Sequence, residues 1–263
     1  MTREVVRCGL AGAIVALASL GSGPVSGQAP SARVPVVVEL FTSEGCSSCP
    51  PADALLIKLT QSSPVSGAQV ITLGEHVDYW DQQGWRDPFS SASFTVRQQA
   101  YATRRGDDDV STPQMVVDGT ATFIGSDTSA LISALTKAIA KPKAPISIAW
   151  TSSTKPTAII SLAASPLTVH STVVVAITED GLSSAVRRGE NAGRTLSHAS
   201  VTRRLSDVGQ TSADGSFKLE LPITIEPGWN RTNLKLVVFA QSSKRAVTAA
   251  ASTPVAFSSP SVR

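Results

Sequence analysis

The sequence has few of the features that mark the common enzyme and nucleic-acid-binding classes. It contains no Ser–His–Asp arrangement of a hydrolase, no phosphate-binding loop and no dinucleotide-binding fingerprint. Lys and Arg are spread along the chain and the formal net charge is only +3. Nucleic acid is therefore not expected as a main partner, because a basic groove needs clustered cations.

Residues 1–27 have the pattern of a secretory signal peptide. Arg3 and Arg7 precede the apolar run 9–20, and a small-residue stretch at 25–27 suits cleavage. The apolar run is too short for a good membrane span, and an uncleaved N-terminal anchor is the alternative. No other long apolar run is present. We expect a periplasmic or secreted protein that makes no membrane contact after cleavage.

The chain has only three cysteines, and this small number restricts their chemistry. Signal cleavage would discard Cys8, so Cys46 and Cys49 could pair only with each other within the monomer. A bridge that closes so short a loop constrains the unfolded chain little, which favours a redox role over a stabilising one. An inert structural disulfide and half of a metal site are the alternatives, although a closed zinc site needs four ligands.

Residues 34–141 alternate between strand and helix patterns. The runs 34–41 and 69–76 are strand-like, 91–104 and 127–140 are helical, and Asp118-Gly119 is a hairpin signal between two short strands at 114–124. Ala52, Leu55, Leu56 and Leu59 share one face of a helix that starts near Pro50. This order of elements is that of a minimal thioredoxin fold.

The second half of the chain has a different texture. Lys141–Pro145 has the composition of a linker, and residues 146–251 consist of short Thr/Val/Ile-rich runs without a convincing amphipathic helix. We therefore predict an α/β thioredoxin-like domain at 34–141, followed by an all-β sandwich-like domain at 146–251. Residues 252–263, rich in Ser and Pro, are predicted to be a loose tail.

The Cys46-Ser-Ser-Cys49 motif falls between a buried strand and a helix. The helix N-terminus stabilises a thiolate, so Cys46 is the predicted nucleophile, and Cys49, one turn later, resolves the mixed disulfide. Thr112 and Pro113 precede the hairpin where a thioredoxin-like fold presents a cis-proline loop to substrate. An ordinary trans-proline that opens a strand is the alternative there.

Three further residues are candidates for the site. Glu39, in the first strand, could take the proton from Cys49, or it could be a solvated or salt-bridged strand residue. His76, after the second strand, could tune the dithiol or contact substrate, although a lone histidine more often serves packing. Trp80 could cover the site, or it could anchor a hydrophobic loop. No cofactor and no resident metal are expected.

Five stretches of the sequence resemble a known family, the bacterial secreted thioredoxin-like proteins catalogued as a domain of unknown function. These stretches are Val38–Asp53, His76–Asp81, Trp85–Phe89, Thr112–Gln114 and Gly189–His198. The resemblance spans nearly the whole mature chain and implies the fold and export. The sequence differs from ordinary thioredoxins in two ways. Gly45 precedes the first cysteine where a thioredoxin has Trp, and the spacing from Glu39 to Cys46 is longer.

The sequence thus predicts a thiol–disulfide oxidoreductase that acts on proteins or small molecules with thiols or disulfides. Two alternatives remain. One is a non-enzymatic binding protein with a structural disulfide, and the other is a copper or other metal carrier that uses Cys46, Cys49 and His76. Charged residues concentrate between 187 and 204. They could dock an anionic ligand, another protein or the first domain, or form a solvated face.

Overall fold

The computed structural model describes residues 1–2, 33–107, 109–151 and 155–257. Except for its first two residues, the predicted signal peptide lies outside this part of the chain, as do residues 258–263 of the predicted tail. The chain divides into two compact units, Met1–Ser31 and Ala32–Arg263. All the helices and strands of the described residues belong to the second unit. Within the described residues, no helix is long and apolar enough to cross a membrane.

The first part of the fold follows the predicted order of strands and helices. Its elements are β1 (Val34–Thr42), α1 (Pro50–Gln61), β2 (Ala68–His76), α2 (Ala92–Arg105), β3 (Gln114–Val117), β4 (Ala121–Ile124) and α3 (Thr128–Ile139). The β-rich part follows as β5 (Ile146–Thr151), β6 (Thr157–Leu162), β7 (Thr172–Glu179), β8 (Leu182–Ala185), β9 (Thr195–His198), β10 (Val201–Gln210), β11 (Phe217–Pro222), a 3-10 turn (Arg231–Asn233), β12 (Leu234–Gln241) and β13 (Val247–Pro254).

One mixed sheet runs through both parts. Its strand order is β13-β12-β7-β10-β2-β1-β3-β4, and β11-β6-β5 and β8-β9 form two smaller sheets. The two halves of the large sheet join where β10 pairs in parallel with β2, at Val201 and Gly74. A Cβ at Gly74 would lie 3.3 Å from the Ala199 carbonyl oxygen, so glycine permits the close approach of the two backbones.

The fold class predicted from the sequence, an α/β thioredoxin-like domain followed by an all-β sandwich-like domain, is therefore wrong. Four strands from the β-rich part extend the sheet that contains β1 to β4, so the described residues form a mostly β architecture with three flanking helices. The physical reason is that the outer edge of β2 accepts β10 as a neighbour, where the Gly74 N–H donates to the Ser200 carbonyl oxygen at 2.8 Å. Local sequence patterns carry no information about this long-range pairing.

The predicted linker is held firmly in place. The Lys143 ammonium lies 2.7 Å from the Asp118 carboxylate, and both side chains are almost fully buried. The Ala144 N–H donates to the Thr248 carbonyl oxygen at 2.9 Å. Strand β13 continues to Pro254, so the first residues of the predicted tail belong to a strand.

The core is divided between the faces of the sheet. Val36, Val38 and Leu40 of β1 pack with α1 and α3 on one face, whereas Phe41 packs with α2 on the other. The small β11-β6-β5 sheet covers β7 and β12 through a separate apolar cluster. Because side chains alternate along a strand, each residue of β1 is committed to one face by its position.

Candidate functional site

Cys46 and Cys49 are joined by a disulfide in the turn between β1 and α1. Pro50 and Pro51 are the first residues of α1, where their fixed φ suits the helix and the missing N–H is not needed. The disulfide therefore lies at the positive end of α1. Both cysteines are fully buried, although the two serines between them are exposed.

The loop before β3 contacts this disulfide. The Thr112 carbonyl oxygen lies 3.8 Å from Cys46 Sγ, and the Thr112–Pro113 peptide bond is cis, as expected for this loop. The Trp80 indole N–H donates to Thr112 Oγ1 at 2.8 Å. A Cβ at Gly45 would lie 3.0 Å from Trp80 Cβ, which explains why a residue without a side chain precedes Cys46. Five predicted site residues are thus brought together: Cys46, Cys49, Thr112, Pro113 and Trp80.

A segment of the β-rich part also reaches the disulfide. Contact with the first domain was one of the alternatives that the sequence left open for the charged residues 187–204. We call Val186–Arg194, between β8 and β9, the cap. Asn191 is fully buried, and its Nδ2 donates to the carbonyl oxygens of Glu44 and Cys46 at 2.9 Å each. The Glu190 carboxylate accepts from the Ser47 N–H at 2.9 Å. Hydrogen bonds from the Ser47 side chain and backbone lower the pKa of Glu190.

Glu44, two residues before Cys46, connects three parts of the site. Its carboxylate is fully buried and accepts from Trp85 Nε1 at 2.8 Å and from the Ser184 hydroxyl. His198 Nε2 lies 3.0 Å from the same carboxylate. These partners come from the loop after β2 and from the β8-β9 hairpin. Glu44 therefore holds the turn that contains Cys46 against both of these segments.

His76 is buried beside this group and forms an ion pair with Asp87. Its Nδ1 lies 2.7 Å from Asp87 Oδ2. Burial lowers the pKa of His76, but the charge and hydrogen bond of Asp87 raise it, and the net change is upward. Burial raises the pKa of Asp87, yet His76 and two backbone N–H groups lower it overall. His76 is 1% exposed, and no hydrogen bond or ion pair among the described residues joins it to either cysteine.

We expect the free energy of unfolding to fall as the pH rises from about 6.5 towards the raised pKa of folded His76, because in that range the unfolded histidine has lost its proton and the folded one retains it. A histidine with a raised pKa contributes its full stabilisation below the unfolded value and loses it as the pH passes the folded value. The limiting slope for one proton is about 1.4 kcal/mol per pH unit. Urea denaturation between pH 5.5 and 8.5 measures how the free energy of unfolding changes with pH. His76→Asn should flatten this slope. The exposed His170 gives the matched control His170→Asn, and equal slopes in both variants would refute the assignment.

Asp53 is a buried carboxylate of α1, one turn after Cys49. Its backbone N–H donates to the Cys49 carbonyl oxygen at 3.1 Å, which places it one turn along the chain from Cys49. Asp53 accepts from the Thr42 hydroxyl at 2.8 Å. Burial raises its pKa, and the nearby charges of His198 and His76 oppose that shift only in part. Asp53 was not among the predicted site residues, although it ends the first stretch of the family resemblance.

Glu39, the acid predicted to serve Cys49, lies elsewhere. Arg97 Nε donates to Glu39 Oε1 and the Tyr101 hydroxyl donates to Oε2, both at 2.6 Å, so Glu39 faces α2. Its neighbour Leu40 faces α1, since it packs in one core cluster with Ala52 and Leu56. No contact among the described residues joins Glu39 to either cysteine.

The copper-carrier alternative gains no support from the geometry. Within the described part of the chain, no group of three or more His, Cys, Asp or Glu side chains is arranged to hold a metal ion. His76 directs Nδ1 at Asp87, and Cys46 and Cys49 are bound to each other.

The chain belongs to the family described as "Protein of unknown function (DUF1223)", whose model matches residues 37–241. That match includes the disulfide, the Thr112–Pro113 loop and the cap. No curated protein matches the sequence.

Two solved structures have a similar fold. A crystal structure of an Agrobacterium tumefaciens protein is 25% identical, with a TM-score of 0.67, and the match covers 87% of this chain and 97% of that one. HBP35 of Porphyromonas gingivalis is 17% identical, with a TM-score of 0.61 over 89% of this chain and 79% of its own, which shows the fold alone. A single match over both parts of the chain agrees with the continuous sheet.

Proposed function

We propose that this protein is an exported thiol–disulfide oxidoreductase that acts on thiol- or disulfide-bearing proteins or small molecules. The observation that carries the proposal is the Cys46–Cys49 disulfide at the N-terminus of α1, with the Thr112 carbonyl oxygen 3.8 Å from Cys46 Sγ. The helix N-terminus stabilises a thiolate on Cys46. Export rests on the pattern of residues 1–27.

The exchange needs no cofactor, because substrate and protein balance the electrons between them. A substrate thiolate attacks Cys46 Sγ, the Cys46–Cys49 bond breaks, and Cys49 leaves with the electron pair. A second substrate thiolate then attacks the substrate sulfur of the mixed disulfide, which releases oxidised substrate and the Cys46 thiolate. In the opposite direction, Cys46 attacks a substrate disulfide and Cys49 displaces the reduced substrate.

Asp53 is a better candidate than Glu39 for the group that exchanges a proton with Cys49. It lies one turn along α1 from Cys49, it is buried, and burial raises its pKa. A carboxyl group with these properties can give a proton to the Cys49 thiolate as the disulfide opens and take it back as the disulfide forms. Glu39 is bound to Arg97 and Tyr101 on the other face of β1.

A second candidate function is a binding protein with a structural disulfide. The complete burial of both cysteines favours it, because catalytic thiols are usually accessible. The reduction potential separates the two candidates. Catalytic dithiols lie between roughly −270 and −120 mV, whereas structural disulfides lie below about −300 mV.

We expect a potential in the catalytic range when the protein is equilibrated with glutathione redox buffers. Acid quenching, alkylation and mass spectrometry of the peptide that contains Cys46 and Cys49 give the reduced fraction at each ratio. Peptide mapping keeps Cys8 out of the measurement. A potential below about −300 mV would establish the structural disulfide and refute the oxidoreductase.

A further inference from the structure

The cap carries an unusual concentration of exposed positive charge next to the disulfide. Arg187, Arg188 and Arg194, which we call the arginine rim, are all exposed. None of them forms an ion pair with any residue in the described ranges. Their charges are therefore available to a ligand at the surface.

The hydrogen bonds of the cap hold this rim at the site. Arg194 Nη1 donates to Asn191 Oδ1 at 2.8 Å, and Asn191 Nδ2 donates to the Cys46 carbonyl oxygen at 2.9 Å. One buried side chain thus separates the Arg194 guanidinium from the backbone of the reactive cysteine. Arg187 and Arg188 immediately precede Gly189 and Glu190, and Glu190 is bound to the backbone between the two cysteines.

The balance of charge near the sulfurs is positive. The Glu190 carboxylate is the one acidic group of the cap, against three guanidinium groups, and its hydrogen bond to Ser47 directs it at the protein. The partial positive charge of the α1 N-terminus adds to the same field. Of the nearby buried acids, Glu44 and Asp87 are compensated by donors and by His76, and burial raises the pKa of the third, Asp53, which disfavours its charged form.

We propose that the arginine rim makes the Cys46–Cys49 site selective for anionic thiols and disulfides, such as substrates with carboxylate groups beside the reacting sulfur. This inference rests on the proposed function for its biological meaning, since it names the substrate class of that site. A field of one sign raises the local concentration of oppositely charged reactants and speeds their encounter. Guanidinium groups also pair with carboxylates in a bidentate geometry.

The test compares three thiols of similar size and different charge as reductants of the disulfide. They are 2-mercaptoethanesulfonate, 2-mercaptoethanol and cysteamine, which are anionic, neutral and cationic. Each rate of protein reduction is expressed per concentration of thiolate. It is then divided by the rate, expressed in the same way, at which the same thiol reduces bis(2-hydroxyethyl) disulfide, which removes the intrinsic reactivity of the thiol. Samples are quenched with acid and alkylated, and the peptide with both cysteines is quantified by mass spectrometry.

We expect the anionic thiol to react about fivefold faster than the cationic one after this correction, and the preference to shrink in 1 M salt. Arg187→Gln/Arg188→Gln should reduce the ratio at least threefold and leave the rate with 2-mercaptoethanol almost unchanged. Lys218→Gln/Lys244→Gln removes the same net charge at exposed positions outside the cap and should keep the wild-type ratio.

Equal corrected rates for all three thiols, or an equal loss in both double variants, would overturn the inference. The result does not depend on the reduction potential, because rates are compared in excess thiol. A potential in the structural range would thus refute the oxidoreductase and leave the charge preference measurable, whereas absence of the preference would leave the oxidoreductase standing.

Discussion

Cys49→Ser is expected to accumulate a stable mixed disulfide when the reduced protein is exposed to oxidised glutathione, whereas Cys46→Ser is not. In Cys49→Ser the Cys46 thiolate still attacks, but no second thiol is present to displace the bound glutathione. In Cys46→Ser the remaining thiol is Cys49, which immediately precedes α1, and the contact with the Thr112 carbonyl oxygen belongs to Cys46. We expect at least tenfold more adduct on Cys46 than on Cys49.

Peptide mapping by mass spectrometry measures each adduct separately. Cys46→Ser/Cys49→Ser is the control, because any glutathione that it retains must be on Cys8. Wild-type protein should return to the Cys46–Cys49 disulfide and retain little glutathione. Equal adducts in the two single variants would contradict the assignment of Cys46 as nucleophile, and adducts on Cys49 alone would reverse the two roles.

Much of the local structure around this dithiol can be predicted from short stretches of sequence. The β-branched run before Cys46 forms β1, and Pro50-Pro51 begins α1 as expected. Asp118-Gly119 forms the turn between β3 and β4, and both residues have positive φ there. Each of these features depends on neighbours within a few residues, which is why the sequence pattern is sufficient.

Glu39 shows how one residue of register changes a site prediction. Its spacing to Cys46 is one residue longer than in ordinary thioredoxins, and the sequence left two roles open, proton exchange with Cys49 or a solvated or salt-bridged strand residue. Because side chains alternate along a strand, this one residue turns Glu39 towards α2 and puts Leu40 on the face of α1. Alternation, applied to Val36, Val38 and Leu40, favours the salt-bridged alternative, in which Glu39 faces α2.

The cap could not be predicted from local patterns. Strands β8 and β9, which flank the cap, have only four residues each. The hydrogen bond from Asn191 of the cap to the Cys46 carbonyl oxygen spans 145 positions of the sequence. One signal was nevertheless present. Glu44, Asp87, Asn191 and His198 all belong to the stretches that carry the family resemblance, and the structure gathers those stretches around Cys46.

The polar cluster on the far side of β1 is expected to stabilise the fold. The cluster contains the carboxylates of Glu39 and Glu75, and among the described residues Arg97 is the one cation paired with them. Its guanidinium lies 2.6 Å from Glu39 Oε1 and 3.5 Å from Glu75 Oε1. Both carboxylates are fully buried, and neither oxygen of Glu75 accepts a hydrogen bond within the described part of the chain. Burial and the neighbouring Glu39 charge raise the pKa of Glu75 well above its usual value, against the opposing effect of Arg97.

Arg97→Ala should therefore lower the free energy of unfolding by about 3–5 kcal/mol at pH 7, because it leaves two buried carboxyl groups without a cation. Urea denaturation of the oxidised protein measures the loss, and Arg104→Ala, an exposed change on the same helix, should cost less than about 0.5 kcal/mol. Glu39→Gln/Arg97→Met should recover part of the loss, since it removes a buried charge together with its partner. If Arg97→Ala costs no more than Arg104→Ala, the cluster does not hold the charges inferred for it, and the energy that keeps Glu39 on the α2 face must come from the packing of Phe41 and Tyr101 instead.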